Sequence, residues 1–438
     1  METSTLINPE KAILPAILVA IQKNGEDYSL EDELDELESL LNTLNIKASG
    51  RVIQKRHKLS ASHLLGIGKV EEIKNLADQT GAGLVVVDHP LSGPQVRNLE
   101  KITNCQVLDR AGIILDIFAR HAKSKQAKTQ VEIAQLEYLL PRLAGAWTHF
   151  QRQTGGGVRA RGMGEKQIEV DRRRARERIA KLSKRLEQIK KERETQRKLR
   201  QNEIKVSIVG YTNSGKTTLM KNLTKANIAG KDELFATLDA SVRALDPSTR
   251  PKILLSDTVG FIRNLPHSLV ESFKSTLEEV LNADLLVHVI DLSHPNYHAQ
   301  MKTTDEVLTE IGAGSIPILL VFNKIDLVDE RFLGKILQKK YSGSIAISAH
   351  DWEDVKRLRS HLFNYFMTKF RQIKLTVPSN DKSSLSIVYQ SCIILDANYE
   401  TEGVVSFDVR APETVLARLS RFQDVDPGLS IPPHHSLN

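Results

Sequence analysis

Cysteine is nearly absent: the chain holds two, Cys105 and Cys392. That excludes a multi-bridge disulfide framework and a cysteine-rich zinc module, and it fits reduced thiols in a cytosolic protein. Aromatic residues make up only 5% of the sequence, so the core must rest on aliphatic side chains. No long hydrophobic run is present. The longest, Ala12 to Ile21, is interrupted by Pro15, and a spanning helix needs about 20 apolar residues. The first charged residues are Glu2, Glu10 and Lys11, whereas a secretory signal starts basic. These absences predict a cytoplasmic chain with no membrane insertion. What is present, 40% apolar and 26% charged residues over 438 positions, is the composition of folded domains, two to four of them at about 100–200 residues each.

The net charge of +7 conceals an asymmetry. Residues 1–50 hold ten acids and three bases, whereas residues 151–200 hold eighteen Lys/Arg against seven Asp/Glu. A local positive field of this kind attracts polyanions, nucleic acid foremost. A charge run is also the usual make-up of a solvated helical face, and charge alone leaves both readings open.

Local patterning divides the chain into an N-terminal α/β domain (1–125), a basic helical hairpin (126–202), a doubly wound α/β domain (203–371) and a small C-terminal α/β unit (372–438). In the first, Ile17 to Ile21, Leu84 to Asp88 and Gln106 to Asp109 read as strands. Leu30, Leu34, Leu37, Leu40 and Leu41 fall at helical spacing. In the second, a helix from Lys125 to Leu143 and another from Arg172 to Arg200 flank a glycine-rich tip, Gly155 to Gly164. Ile179, Leu182, Leu186 and Ile189 form a seam at steps of three, four and three, which predicts an antiparallel hairpin. In the third, Ile204 to Val209, Ile253 to Leu255, Leu285 to Ile290, Ile318 to Phe322 and Ile345 to Ile347 are strand candidates separated by helical stretches. In the last, Leu385 to Tyr389, Cys392 to Leu395 and Val404 to Val409 read as strands and Pro412 to Arg421 as a helix.

The third segment carries the chemistry. Gly210-Tyr211-Thr212-Asn213-Ser214-Gly215-Lys216-Thr217 fits G-x-x-x-x-G-K-[ST] between a strand and a helix. Glycines let backbone N–H groups wrap phosphates, and the helix N-terminus favours negative charge. Lys216 is expected to reach the β- and γ-phosphates, and the Thr217 hydroxyl to ligate Mg²⁺. Asp257-Thr258-Val259-Gly260 ends a strand in D-x-x-G. Asp257 suits holding Mg²⁺ directly or through water, and the Gly260 N–H can face the γ-phosphate. Asn323-Lys324-Ile325-Asp326 follows an apolar strand. There a carboxylate can accept from guanine N1 and N2, which adenine does not offer, so GTP/GDP is favoured over ATP. Ser348-Ala349-His350 can set a backbone N–H against guanine O6. Each tetrapeptide alone is weak, since a loop Asp or Asn is usually a turn or cap residue. In this order, each at a strand end, together they are strong.

The constellation resembles the translation-factor class of P-loop GTPases. By that resemblance Thr237, in Phe235-Ala236-Thr237-Leu238-Asp239, is the threonine that ligates Mg²⁺ when GTP is bound. Ras-like enzymes carry a water-orienting glutamine directly after the D-x-x-G glycine. Here Phe261 stands in its place, so intrinsic hydrolysis is expected to be slow, and Phe261 is equally readable as a packing residue.

Further residues narrow the resemblance. His89-Pro90-Leu91-Ser92, Gln95-Val96-Arg97-Asn98-Leu99-Glu100, Asp109-Arg110-Ala111-Gly112, Gln135-Leu136-Glu137-Tyr138-Leu139-Leu140-Pro141-Arg142, the glycine tip, Asp171-Arg172-Arg173-Arg174 and Gly260-Phe261-Ile262 together look like an HflX-type GTPase over roughly residues 15–370. The chain is expected to be a monomeric enzyme, with Lys216, Thr237 and Gly260 at the reacting phosphate. The resemblance implies binding to the large ribosomal subunit, with rRNA near the peptidyl-transferase centre met by residues 151–200. It also implies GTP-dependent ribosome splitting or rescue under stress, with turnover stimulated by the ribosome. Arg159, Ala160 and Met163 depart from the family's usual tip. Two other classes stay open: an ATP-driven RNA-remodelling enzyme, and a binding module without catalysis. Against the former, Gly66-Ile67-Gly68-Lys69 is too short for a phosphate loop and reads as a turn and helix start.

Overall fold

The computed structural model describes residues 5–8, 14–23, 30–142, 161–198, 203–224, 234–235, 237–238, 241–247, 249–263, 277–328, 332–399 and 403–423. The N-terminal sheet shows how sequence dictates layering. In β1 (Ala16–Lys23), Ala16, Leu18 and Ala20 enter one apolar cluster, while Ile17, Val19 and Ile21 enter another on the opposite face. A strand buried on both sides needs helices on both faces, the arrangement of a parallel sheet. The order is β2-β1-β3-β4, all parallel, with β2 at Ala48–Arg56, β3 at Leu84–Val87 and β4 at Gln106–Asp109. Helix α1 (Leu30–Thr43) buries the five leucines read from its periodicity. Helix α2 (Ile67–Thr80) starts just after Gly66, so that segment is a turn and helix start. Helix α3 (Gly93–Thr103) opens on a Ser92–Gln95 capping box, and α4 (Arg110–His121) on Asp109, whose side chain accepts from the Gly112 N–H. The β2 strand was not predicted: it is a polar edge on which Val52 is the one fully buried residue.

Helix α5 (Lys125–Leu139) packs along α6 (Arg161–Lys198), joined by an Arg178–Glu132 ion pair at 2.6 Å. At about 1.5 Å per residue, α6 is about 57 Å long. It begins eleven residues before the expected start, so Gly162, Met163 and Gly164 are its first turn and not loop. Leu182 of the predicted seam is buried; Ile179, Leu186 and Ile189 are half-buried, and most of the charged positions around them face solvent. The rest of the glycine tip, Arg159 and Ala160 included, lies outside the described residues.

The central sheet has the order β10-β9-β8-β5-β7-β6. Its parallel strands are β5 (Ile204–Gly210), β7 (Ile253–Asp257), β8 (Leu285–Asp291), β9 (Ile318–Asn323) and β10 (Ile345–Ala346). The unpredicted β6 (Ser241–Ala244) is an antiparallel, half-exposed edge. With β5 between β7 and β8, the chain leaves the sheet where connections diverge to either side, the place where such sheets bind ligands. Helix α7 (Lys216–Thr224) follows the phosphate loop. Helices α8 (Tyr297–Glu310), α9 (Leu333–Lys340) and α10 (Trp352–Met367) complete the layers.

The C-terminal unit is an antiparallel sheet, β11-β13-β12, of Arg371–Pro378, Val404–Ala411 and Ile393–Asn398. Its first strand starts at Arg371, one residue before the expected boundary. Leu385 to Tyr389, read as a strand, is instead part of helix α11 (Lys382–Ser391). Asp381 caps it, accepting from the Ser384 N–H at 3.1 Å, and Ser384, Val388 and Ser391 form its buried face. The cap and that spacing outweigh the β-branched run. Helix α12 (Glu413–Leu419) closes the unit.

Candidate active site

A cleft of about 410 Å³ opens at the carboxyl ends of β5, β7 and β9. Its floor is the phosphate loop. Gly210 has φ 146°, and a Cβ there would lie 2.2 Å from the Val289 carbonyl oxygen; Gly215 has φ 91°, and its Cβ would fall 2.3 Å from Asn323 Nδ2. Only glycine fits either position. The loop wraps inward around the Lys216 side chain, which is 6% exposed and donates to the Tyr211 carbonyl at 2.5 Å. Burial pulls the ammonium down to about 8, against the Asp257 carboxylate, which favours the charged form. The buried hydroxyls of Thr212 and Ser214 have no hydrogen-bond partner among the described residues.

On one wall the Thr217 hydroxyl donates to Asp257 Oδ2 at 2.9 Å and lies 2.8 Å from the Thr237 hydroxyl. Asp257 Oδ1 is buried without a partner among the described residues, and burial pushes the carboxyl above its ordinary range. Two hydroxyls and an unsatisfied carboxylate oxygen form a hard-oxygen donor set suited to Mg²⁺. Among the described residues no cluster of three or more His, Cys, Asp or Glu side chains could hold a metal. Gly260 sits directly over the loop: a Cβ would lie 2.9 Å from Thr212 Cα and 3.0 Å from Lys216 Nζ. The neighbouring Thr258 hydroxyl is buried on the Ile208 carbonyl, and Val259 is buried too. Phe261 packs against Val209, Leu277, Val280 and Leu286. Its backbone pairs with the phosphate loop, Thr212 N–H to its carbonyl at 2.7 Å and its own N–H to Gly210 at 3.1 Å.

At the other end Asn323 is a clasp. Its Nδ2 donates to the Ser214 carbonyl at 2.8 Å, and its Oδ1 accepts from Ala349 N–H at 2.9 Å. Lys324 takes φ 62° and pairs with Asp291 at 2.6 Å. Ile325 and Asp326 turn in a short 3-10 segment that leaves the Asp326 carboxylate exposed at the cleft. The N–H groups of Ser348, Ala349 and His350 all have intramolecular acceptors, Asp354 Oδ2, Asn323 Oδ1 and Ser348 Oγ. A donor to guanine O6 from this segment would therefore be a shared one.

The structure thus gathers Lys216, Thr217, Thr237, Asp257, Thr258, Gly260, Asn323, Lys324, Asp326, Ala349 and His350 around one cleft. Ala236 and Asp239 lie outside the described residues. Phe235 lines the cleft, yet Phe235 and Leu238 also join Tyr211, Val259 and Ile262 in an apolar cluster shared with the N-terminal domain. Phe235 stacks edge-on against Phe118 at 4.8 Å, and its carbonyl meets His121 Nδ1 at 2.9 Å. The Tyr211 side chain also points there, to Glu36. Sequence reading missed Glu36, Arg110, Phe118, His121 and Arg263, because no local motif marks a contact between residues 52 or more positions apart.

A doubly wound sheet with this loop, the D-x-x-G turn and the Asn323–Asp326 clasp defines a P-loop GTPase. Family profiles match residues 31–119 (GTP-binding GTPase N-terminal), 121–200 (GTP-binding GTPase Middle Region) and 205–324 (50S ribosome-binding GTPase). The "GTPase HflX" of Gluconacetobacter diazotrophicus is 39% identical over 93% of this chain and 97% of its own, and that of Escherichia coli K12 is 39% identical over 94% and 96%. The chain belongs to the HflX family of GTPases and is a GTP hydrolase. Among solved structures, a GTP-binding protein of Sulfolobus solfataricus in complex with GDP is 27% identical, with 80% of this chain and 98% of that one covered at a TM-score of 0.42.

Proposed function

We propose that this GTPase binds the large ribosomal subunit in its GTP state and couples hydrolysis to subunit separation or rescue under stress. One observation carries this reading: a cationic helix, α6 (Arg161–Lys198), directly precedes the first strand of the GTPase core at Ile204. Arg173 and Arg174 are more than two-thirds exposed, and Lys190 lies 3.9 Å from Glu278 of the nucleotide domain. An exposed cationic rod suits the phosphate backbone of rRNA, and residues 151–200 would approach the peptidyl-transferase centre. The 50S-binding description of the profile over residues 205–324 supports the same partner. The working form is taken to be a cytoplasmic monomer; among the described residues no helix is long and apolar enough to cross a membrane.

In hydrolysis, Lys216 and the N–H groups of residues 213–217 hold the β- and γ-phosphates. Thr217, Thr237 and Asp257 would hold Mg²⁺, which supplies charge neutralisation at the phosphates. The Gly260 N–H faces the transferring phosphate, and Asp326 selects guanine. Phe261 has no group to orient water, so turnover is slow until the ribosome supplies or orders one. Sedimentation of 70S particles with the protein and a non-hydrolysable GTP analogue tests the proposal. Subunits should separate, and an unchanged 70S peak would refute it. The effect should weaken as salt rises.

A further inference from the structure

We propose that Glu36, in the N-terminal domain, is a positioning residue for GTP hydrolysis: it holds the phosphate loop and the 257–263 loop in register from behind. The inference stands on the chain's GTPase activity and is independent of its ribosomal partner. Glu36 projects from α1 into the seam between the two domains, and its side chain is 13% exposed. Oε1 accepts from the Tyr211 hydroxyl at 2.5 Å, and Oε2 accepts from Arg110 Nη2. Arg263 Nε lies 3.6 Å from that same oxygen. The Tyr211 hydroxyl in turn accepts from the Arg263 N–H at 2.9 Å. One carboxylate thus gathers the second residue of the phosphate loop and the far end of the 257–263 loop.

The hub is itself held in place. Arg110, 5% exposed at its side chain, donates to Asp88 Oδ1 at 2.8 Å, so Glu36 is clamped to the end of the N-terminal sheet. Burial alone would raise the Glu36 carboxyl; Arg110, Arg263 and the Tyr211 hydroxyl reverse that and keep it below the ordinary range, ionised and fully engaged. A buried ionic network is a poor source of net stability, because desolvation cancels most of its attraction. What such a network does provide is fixed geometry.

That geometry leads straight to the reacting end of the cleft. Tyr211 offers its side chain to Glu36 and its carbonyl to Lys216 Nζ, so a shift of the tyrosine carries the lysine with it. The hydrogen bonds of Phe261 to Gly210 and Thr212 lock the 257–263 loop to the same peptide units, which places Gly260 against Lys216. Misplacement by a fraction of an ångström at groups that act on a transferring phosphate is enough to slow chemistry strongly. Binding, in contrast, draws on many loop N–H groups that the hub does not touch.

The test compares Tyr211→Phe, Glu36→Gln and their double variant with the parent in full-length protein, with Lys216→Ala as a control. Steady-state GTP turnover and thermal midpoints are measured together. Tyr211→Phe removes one oxygen and leaves the apolar packing intact, so it keeps the test open if Glu36→Gln folds poorly. Each single variant should lower kcat roughly tenfold with KM within about twofold, and the double variant should be no slower than the slower single, as expected for groups acting through one contact. Folded single variants with parental kcat, or losses that multiply in the double, would overturn the proposal. A Lys216→Ala protein with parental turnover would instead show that the cleft is not the hydrolytic site.

Discussion

The molecule contains two helix-wrapped sheets, one all parallel and one parallel but for its β6 edge, and only the second opens its strand ends into the cleft described above. In the N-terminal sheet, Asp109 at the end of β4 is fully engaged by the protein. Its oxygens accept from Gly112 N–H, the Tyr138 hydroxyl, Leu91 N–H and Arg142 at 2.7–3.1 Å. In the central sheet, among the described residues, Asp257 at the end of β7 keeps one buried oxygen without a partner, Ser214 and Thr212 keep unpartnered hydroxyls, and Asp326 stands exposed at the cleft. Buried polar groups are almost always satisfied. A set of unsatisfied ones around a cleft marks where a ligand completes the hydrogen bonding. Fold alone does not distinguish the two sheets, and Asp88 Oδ2 and Arg110 Nε at the N-terminal sheet are also buried without a partner among the described residues; what sets the central sheet apart is the cleft lined by Thr212, Thr217, Thr258 and Asp326.

Substitutions should separate the two sheets sharply. The largest effect belongs to the central one: Lys216→Ala should lower GTP turnover by at least about a hundredfold, read by phosphate release, because a preorganised cation at developing charge is lost. Next, Arg142→Ala in the N-terminal sheet should cost about 3 kcal/mol of stability by chemical denaturation, since Asp109 is left buried with its charge uncompensated. Turnover per folded molecule should stay at the parental level. Asp326→Ala should weaken GTP binding roughly ten- to hundredfold, the worth of a charge-assisted hydrogen-bond pair, and remove discrimination against ATP in competition binding.

Two smaller effects follow from titration. Lys216 titrates near pH 8 in the nucleotide-free protein, and a bound triphosphate favours its charged form. Below pH 7 the lysine is already protonated, so binding takes up no proton there; near pH 9 it must take one up. Calorimetry in buffers of different ionisation enthalpy reads this directly. Glu33 is raised to about 7, by burial first and then by Asp88. The folded protein therefore binds a proton that the unfolded chain releases at lower pH, and the ionised carboxyl costs stability. That cost is full above pH 7 and absent below the ordinary glutamate range. Glu33→Gln should raise the melting temperature slightly at pH 8 and leave it unchanged near pH 4.

The central sheet was largely legible in the sequence, because its phosphate and guanine motifs are short, contiguous and fall at strand ends. Strands such as Ile204–Gly210 and Leu285–Asp291 read clearly because they are buried almost end to end. Two edge strands were not legible: Ala48–Arg56 and Ser241–Ala244 are mostly polar or half-exposed, so no period-2 signal marks them, whereas the buried edges Gln106–Asp109 and Ile345–Ala346 were read. Leu385–Tyr389 misled for the opposite reason, since its β-branched residues suit a strand while Asp381 and Val388 serve a helix. The early start of α6 was hidden by glycines that favour loops. The Glu36 hub was beyond local reading altogether: Glu36 and Tyr211 are 175 positions apart, and neither neighbourhood announces the other.

GTP turnover with and without purified large ribosomal subunits, measured on the parent and on a protein with Arg172, Arg173 and Arg174 changed to Gln, bears most directly on the joining of a nucleotide switch to a cationic helix. The account predicts slow parental turnover that rises strongly with subunits, and a variant with the same basal rate but little stimulation. Equal stimulation of both proteins would contradict it.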